Sequence, residues 1–355
     1  MPIKTISSFE VKFLQIVNEA GEADAELLPD LSDDWFKAVF EKMLLARAYN
    51  ERALSLQREG RLGTYASIYG QEASQVGSAL ALSKDDWVLP SFRESGVLIT
   101  LGYPVSMLLR YWHGDERGMK TPPDLNIIPM SVPVGTHIPH AVGAAMAMRY
   151  KGKASAAVAY FGDGGSSRGD FHEGINMAGV FKAPVVFICQ NNQWAISVPR
   201  KRQSAASTIA GRAFSYGIEG VQVDGNDVLA VHRATMDALK RAKKGDGATL
   251  IECFTYRLHD HTTSDDSSRY RNKEEVEEWE KKEPLIRYRI LLQKKGLWSE
   301  AYEKDATRRA HDIVDAAIKE AEAFPLPNPA DIITYTNHSL TQRQKRELKE
   351  RGWQD

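Results

Sequence analysis

The chain has 355 residues, of which 43% are hydrophobic, and its formal net charge at pH 7 is −1. This length allows a large buried core, and the near-neutral charge excludes a global basic field that would draw the chain to nucleic acid or an anionic membrane. The apolar runs are too short and interrupted to span a bilayer, and residues 1–11 lack a charged-then-apolar secretory pattern. The expectation is therefore a cytoplasmic location, with neither nucleic acid nor a membrane as partner.

Composition divides the chain into three segments. Residues 1–31 are predicted to be a loosely attached N-terminal arm, residues 32–325 a domain with helical extensions, and residues 326–355 an extended C-terminal tail. Ser32 and Asn226 are the predicted N-caps of the helices that follow them. Apolar spacing and small-residue content predict helices over 33–60, 71–82, 105–111, 137–150, 170–182, 227–244, 273–295 and 300–323.

Short apolar runs alternate with the central helices and are predicted to be strands. Strands and helices that alternate in this way predict a mainly parallel sheet with helices on both faces, which is a three-layer αβα architecture of the α/β class. The two cysteines, Cys189 and Cys253, fall within these runs, which predicts buried and inert thiols. The predicted strands cover residues 156–161, 185–190, 218–223 and 248–256.

Two polar loops follow the first two of these strands. The first loop contains Asp163 within a run of glycines, and the second contains Asn191 and Asn192. The right-handed crossover of a βαβ unit places both loops at the same edge of the sheet, where Asp163 and Asn192 can offer hard oxygens to one Mg²⁺ or Ca²⁺. A Gly-Asp-Gly sequence alone is common in turns. A turn does not need a second polar loop after the next strand, whereas a metal site needs a second ligand, so the pair of loops favours a metal site. The glycines would let the backbone approach a diphosphate, with the N-terminus of the next helix pointing at it.

Gly162-Asp163-Gly164 followed by Asn191-Asn192 resembles the thiamin-diphosphate motif. From about Trp35 to its C-terminus, the chain also resembles the α subunit of the heterotetrameric 2-oxo acid dehydrogenase decarboxylases. These are the first components of the pyruvate and branched-chain 2-oxo acid dehydrogenase complexes. The resemblance implies the thiamin-diphosphate-binding fold and, as cofactors, thiamin diphosphate and Mg²⁺. It is carried by residues 69–74, 93–98, 169–174 and 256–271.

The resemblance assigns Mg²⁺ and diphosphate binding to residues of both loops. The implied Mg²⁺ ligands are the side chains of Asp163 and Asn192 and the main-chain carbonyl of Trp194, while Asn191 is expected to support the loop. Arg93 matches an arginine that binds the diphosphate, as its guanidinium suits an anion. Gln190 stands where some branched-chain members have an arginine, which places more of the diphosphate binding on Arg93. The glycines of the first loop, expected to approach the cofactor through their backbone, are Gly162, Gly164 and Gly165.

A second group of residues is implied to contact the rings of the cofactor. Val132 and Val134 match positions whose main chain contacts the aminopyrimidine. Phe92 lies at a cofactor-binding position where relatives usually have tyrosine, so a hydroxyl contact is absent. His261 matches the active-site histidine, which both contacts the cofactor and stabilises the developing intermediate or shuttles a proton.

The resemblance implies thiamin-diphosphate-dependent oxidative decarboxylation of a 2-oxo acid, followed by reductive acylation of a lipoyl domain. The family draws the glutamate that activates the aminopyrimidine from a separate β chain. The implied partners are therefore a β subunit, in a tetramer of two α and two β chains, and a lipoyl acyltransferase core.

Local similarities leave the substrate open, with branched-chain 2-oxo acids slightly favoured over pyruvate. An acetoin dehydrogenase α subunit and half of a split transketolase are the alternative enzymes. A scaffold that keeps the fold without catalysis is the alternative outside enzymes, although such a scaffold predicts the loss of a metal ligand.

Overall fold

The computed structural model describes residues 3–353. Its main sheet has six parallel strands in the order β1-β7-β8-β4-β3-β2, and β5 and β6 form a small antiparallel hairpin. The mainly parallel sheet expected from the sequence is confirmed. The strands are β1 Lys12–Leu14, β2 Trp87–Leu89, β3 Ala157–Gly162, β4 Val185–Asn191, β5 Trp194–Ala195, β6 Val198–Pro199, β7 Glu219–Asp224 and β8 Thr249–Phe254.

Helices cover both faces of this sheet and extend beyond it. The side chains of Ala157 and Phe161 in β3 pack with the helices at 137–150 and 169–181, whereas those of Val158 and Tyr160 pack with the helices at 33–58 and 228–244 on the other face, which gives the three layers. Ser32 caps α1 as predicted, accepting a hydrogen bond of 3.2 Å from Trp35 N. The helices are α1 Asp33–Arg58, α2 Glu72–Leu80, α3 Ser95–Thr100, α4 Val105–His113, α5 His137–Tyr150, α6 Gly169–Phe181, α7 Arg200–Gln203, α8 Val228–Lys244, α9 Lys273–Glu280, α10 Pro284–Lys294, α11 Glu300–Glu322, α12 Asp331–Thr334 and α13 Gln342–Arg351.

No helix within residues 3–353 is both long enough and apolar enough to cross a membrane. Both cysteines are buried, as expected, and burial raises the pKa of each thiol above its ordinary value. Their thiols are therefore inert at neutral pH.

From residue 12 onward the N-terminal arm is attached to the sheet, contrary to the prediction of a loosely attached arm. Its strand β1 pairs with β7 and forms one edge of the sheet, and the main-chain N–H groups of Ile16 and Val17 donate to Asp227 Oδ2 at 2.6 and 2.7 Å. The other oxygen of Asp227 accepts from two N–H groups at the start of α8. Asp227 thus joins the arm to the helix, because a carboxylate has two oxygens to offer.

Three further predictions about the helices are wrong. Asn226 does not cap α8; its amide donates to Lys282 O at 2.9 Å and its oxygen accepts from Thr255. The predicted helix over 273–295 is two helices, since Pro284 starts α10 and Glu283 caps it. The C-terminal tail is not wholly extended, because α12 and α13 pack together around a small apolar cluster.

Candidate active site

The carboxyl ends of β3 and β4 lie side by side, with Gly162 paired to Gln190 in register. Asp163 and Asn192 therefore follow adjacent strands, and both line one cavity of about 670 Å³. The first loop itself forms a 3₁₀ turn over Asp163–Ser167, which ends just before α6. The helix predicted over 170–182 begins close to its predicted start, at Gly169.

Every residue that the sequence assigned to the site lines this single cavity. These residues are Phe92, Arg93, Val132, Val134, Gly162, Asp163, Gly164, Gly165, Asn192, Trp194 and His261. The lining also includes residues to which the sequence gave no role. They are Thr64, Ala66, Gln71, Ser91, Glu94, Trp112, Phe161, Arg168, Ala195, Ile196 and Thr262.

Asp163 has one engaged and one free carboxylate oxygen. The residue is 2% exposed, and its Oδ2 accepts a hydrogen bond of 2.7 Å from Gln203 Nε2. Its Oδ1 is buried and has no hydrogen-bond partner among residues 3–353. Burial raises the pKa of this carboxyl to about 6, and the bond from Gln203 opposes that rise. A buried carboxylate oxygen without a donor suits a hard cation as its missing partner.

Asn192 lines the same cavity, after the strand that neighbours the one before Asp163. Its Nδ2 donates to Gln71 Oε1 at 3.1 Å, and its Oδ1 accepts only a long bond of 3.3 Å from Trp194 N within the described chain. Asn191 is not among the residues that line this cavity, and its Nδ2 donates to Glu252 Oε1 at 2.6 Å. Residues 3–353 hold no cluster of three or more His, Cys, Asp or Glu side chains that could bind a metal. The carboxylate of Asp163 and the amide of Asn192 both carry oxygens, the donor atoms that Mg²⁺ prefers.

The loop after β4 is strained and is held by Arg257. Gln193 and Ile196 have positive φ angles of 72° and 56°, which non-glycine residues rarely adopt. The buried guanidinium of Arg257 donates to Trp194 O at 3.3 Å and to Ile196 O at 2.9 Å. Arg257 therefore fixes the carbonyl predicted to bind the metal. The sequence gave no sign of this role, which depends on how the distant loop closes.

Gly164 is required by the close approach of this same loop. A Cβ atom built on Gly164 would lie 2.8 Å from Ala195 Cβ, whereas one on Gly162 would meet nothing nearer than Gln190 O at 3.9 Å within the described residues. The sequence interpretation, that these glycines admit a diphosphate, therefore overlooks a packing reason at Gly164.

Gly164→Ala is expected to lower the free energy of unfolding by about 1–3 kcal/mol, because the added methyl group must displace the loop. Urea unfolding of the purified protein measures this change. Gly162→Ala is the matched control from the same loop and should unfold at the wild-type urea concentration. Equal stability of the two variants would disprove the packing role of Gly164.

Arg93 and His261 form a hydrogen-bonded pair in the cavity wall. Arg93 Nη2 donates to His261 O at 2.9 Å and lies 3.0 Å from His261 Nδ1, while Nη1 donates to Ser67 O. An arginine can only donate, so Nδ1 accepts and the ring proton resides on Nε2. Burial and the cations Arg93 and Arg257 lower the pKa of His261 to about 3. His261 is thus a neutral imidazole whose Nε2–H remains as a donor.

In the cofactor-free protein, His261 is expected to stay neutral between about pH 5 and 8, since its lowered pKa lies below that range. Nitrogen NMR of the imidazole should show the Nε2–H tautomer throughout, and Arg93→Gln should raise the pKa by removing the nearer cation. The His261→Asn variant identifies the signal. A midpoint near the ordinary histidine value, unchanged by Arg93→Gln, would contradict this electrostatic account.

A buried polar network lies beneath Arg93. Gln190 Nε2 donates to Glu94 Oε1 at 2.7 Å, and Gln75 Nε2 donates to Gln190 Oε1 at 2.9 Å. Burial raises the pKa of Glu94 to about 7, against the opposing effect of Arg93. Both ends of the Gln190 amide are therefore hydrogen-bonded. Within this network the positively charged side chain is that of Arg93, which lines the cavity.

The mouth of the cavity is apolar and open. Val132 and Val134 line it, yet they are 55% and 40% exposed. Phe92 packs edge-on against His261, with ring centroids 6.0 Å apart. Apolar side chains that line a cavity and remain open to solvent are typical of a surface that another chain covers.

Most of this chain is similar to proteins of one known family. A family model described as "Dehydrogenase E1 component" matches residues 41–330. The "Pyruvate dehydrogenase E1 component subunit alpha" of Bacillus subtilis is 46% identical over 321 residues, covering 90% of this chain and 86% of that protein. The proteins of the same description from Staphylococcus aureus and Staphylococcus epidermidis are each 44% identical over 324 residues, covering 90% of this chain and 88% of their own length.

Proposed function

Because the chain belongs to the dehydrogenase E1 component family, as the α subunit of a thiamin-diphosphate-dependent 2-oxo acid dehydrogenase, we propose that its substrate is pyruvate. E1 α subunits of this family work with a β subunit within a multienzyme complex. The branched-chain preference expected from the sequence finds no support in the comparisons, since the relatives described above are pyruvate dehydrogenase subunits. Pyruvate, the close second expectation, therefore replaces it.

The proposed metal is Mg²⁺, and the single observation that supports it best is the free Oδ1 of Asp163. This oxygen is buried, and Asp163 lines a cavity that also receives Asn192 and Trp194 from the neighbouring strand end. The ligands from this chain would be Asp163 Oδ1, Asn192 Oδ1 and Trp194 O, which are hard oxygens suited to Mg²⁺. Arg93, buried in the same wall, would add a positive charge against the diphosphate.

Thiamin diphosphate, when bound, supplies the nucleophilic carbon and the electron sink for the loss of carbon dioxide from a 2-oxo acid. The residues of this chain would bind, orient and shield the reactants. His261, with Nδ1 held by Arg93, offers Nε2–H as a hydrogen-bond donor to an oxygen that gains negative charge. Phe92, Val132 and Val134 provide apolar surface that excludes water once the mouth is covered.

The proposed partners are a β subunit, in a tetramer of two α and two β chains, and a lipoyl acyltransferase core. The exposed valines at the cavity mouth support a covering chain there. The cytoplasmic location expected from the sequence stays a prediction.

Steady-state kinetics of the complex with its β subunit test the substrate. We expect kcat/KM for pyruvate to exceed that for 3-methyl-2-oxobutanoate by at least about tenfold, as a pocket fitted to a methyl group loses free energy with a larger one. Acetoin is assayed in parallel, because an acetoin dehydrogenase is the alternative that shares the scaffold. A higher kcat/KM for the branched acid, or turnover of acetoin alone, would reject pyruvate as the substrate.

A further inference from the structure

The segment that follows Trp194 folds back onto Asp163. Strands β5 and β6 pair Trp194 with Pro199, and Arg200 N donates to Gln193 O at 2.8 Å. The short helix α7 then runs to Gln203. One continuous segment therefore connects the predicted metal ligands at the end of β4 with the carboxylate at the end of β3.

Gln203 makes the two oxygens of Asp163 unequal. Its Nε2 donates to Asp163 Oδ2 at 2.7 Å, and the same nitrogen lies 3.3 Å from Val198 O. Oδ1 remains buried and without a partner among the described residues. The carboxylate therefore has a single oxygen that is not already satisfied.

Contacts on either side keep Gln203 in this position. The guanidinium of Arg212 donates to Ser166 O in the turn after Asp163 and to Ser204 Oγ next to Gln203. Ser166 Oγ in turn donates to Asp163 O at 2.7 Å. Since both ends of the Gln203–Asp163 contact are held, the contact is a fixed part of the cavity wall.

We infer that Gln203 is a positioning residue that sets the cation preference of this site, an inference that rests on the proposed binding of thiamin diphosphate with a divalent cation. By engaging Oδ2, Gln203 leaves Asp163 only one oxygen for the cation. Mg²⁺ requires about six ligands in a strict octahedron, whereas Ca²⁺ accepts roughly six to eight and tolerates a carboxylate that binds through both oxygens. Gln203 therefore favours Mg²⁺, and its loss opens the second oxygen to Ca²⁺.

The test is the affinity of the complex with its β subunit for thiamin diphosphate, measured by calorimetry with Mg²⁺ and, separately, with Ca²⁺. In Gln203→Leu, which fills the same space, and in Gln203→Ala, the ratio of the two affinities should shift toward Ca²⁺ by about tenfold, because the freed Oδ2 adds a ligand that Ca²⁺ can use and octahedral Mg²⁺ cannot. Lys201→Ala is the matched control, because Lys201 lies exposed on the same short helix. Its ratio should equal that of the wild type.

The possible outcomes separate this inference from the proposed function. If the wild-type complex binds thiamin diphosphate with neither cation, the proposed function itself fails and this inference fails with it. If the wild type binds, but both Gln203 variants lose affinity equally with the two cations or keep the wild-type ratio, Gln203 has only a structural role. Size-exclusion chromatography confirms assembly, and either variant that assembles suffices to decide.

Discussion

Replacing Asp163 with alanine is expected to abolish the Mg²⁺-dependent binding of thiamin diphosphate. The buried Oδ1 is the anionic ligand that we propose for this chain, and without it the cation would have only the neutral oxygens of Asn192 and Trp194. Removing one partner from a buried charge pair costs about 3–5 kcal/mol, which corresponds to at least roughly a hundredfold in affinity. Calorimetric titration of the complex with its β subunit measures this loss.

Two variants make this result specific to the cation. Asp163→Asn keeps the shape of the side chain and removes its charge, so it should also bind weakly. Asp170→Ala removes a carboxylate from the first turn of α6, outside the cavity lining, and should bind as the wild type does. Unchanged affinity in a folded Asp163→Ala complex would favour a scaffold that keeps the fold without catalysis.

The α chain purified alone is expected to release no measurable carbon dioxide from pyruvate, even with thiamin diphosphate and Mg²⁺. Among the described residues that line the cavity, only Asp163 and Glu94 have carboxylates. Asp163 is assigned to the cation, and Glu94 is bound by Gln190 and by Arg93 N. Neither is left to hydrogen-bond the aminopyrimidine ring, which is the role that the resemblance gives to a β-chain glutamate.

Adding the β subunit should restore activity in proportion to the tetramer formed, as followed by carbon dioxide release and size-exclusion chromatography together. Covering Val132 and Val134 would at the same time exclude water from the cavity. Turnover by the isolated α chain at the rate of the tetramer would contradict the assignment of an incomplete site.

Four strands of the main sheet (β3, β4, β7 and β8) and the meeting of the two loops could be predicted because they depend on local patterns. Apolar runs indicate β3 and β4, and the handedness of a parallel crossover brings Asp163 and Asn192 to one edge. Apolar patterns and crossover handedness predict where the strands end. They do not specify which side chains from elsewhere in the chain will contact those ends.

The remaining features depend on contacts between distant segments. Gln203 and Arg257 act through the closure of the loop after β4, and nothing in their immediate sequence indicates an amide against Asp163 or a guanidinium beneath Trp194. Asn226 and Asp227 are both good caps by residue type. The choice of Asp227 follows from the docking of the N-terminal arm, which needs a second acceptor.

The most direct test is a crystal structure of the complex with its β subunit, grown with thiamin diphosphate and with Mn²⁺ in place of Mg²⁺. The anomalous signal of the metal should give one peak, within about 2.0–2.3 Å of Asp163 Oδ1, Asn192 Oδ1 and Trp194 O and in contact with the diphosphate. A diphosphate bound without a metal peak between Asp163 and Asn192 would contradict the shared-cation site.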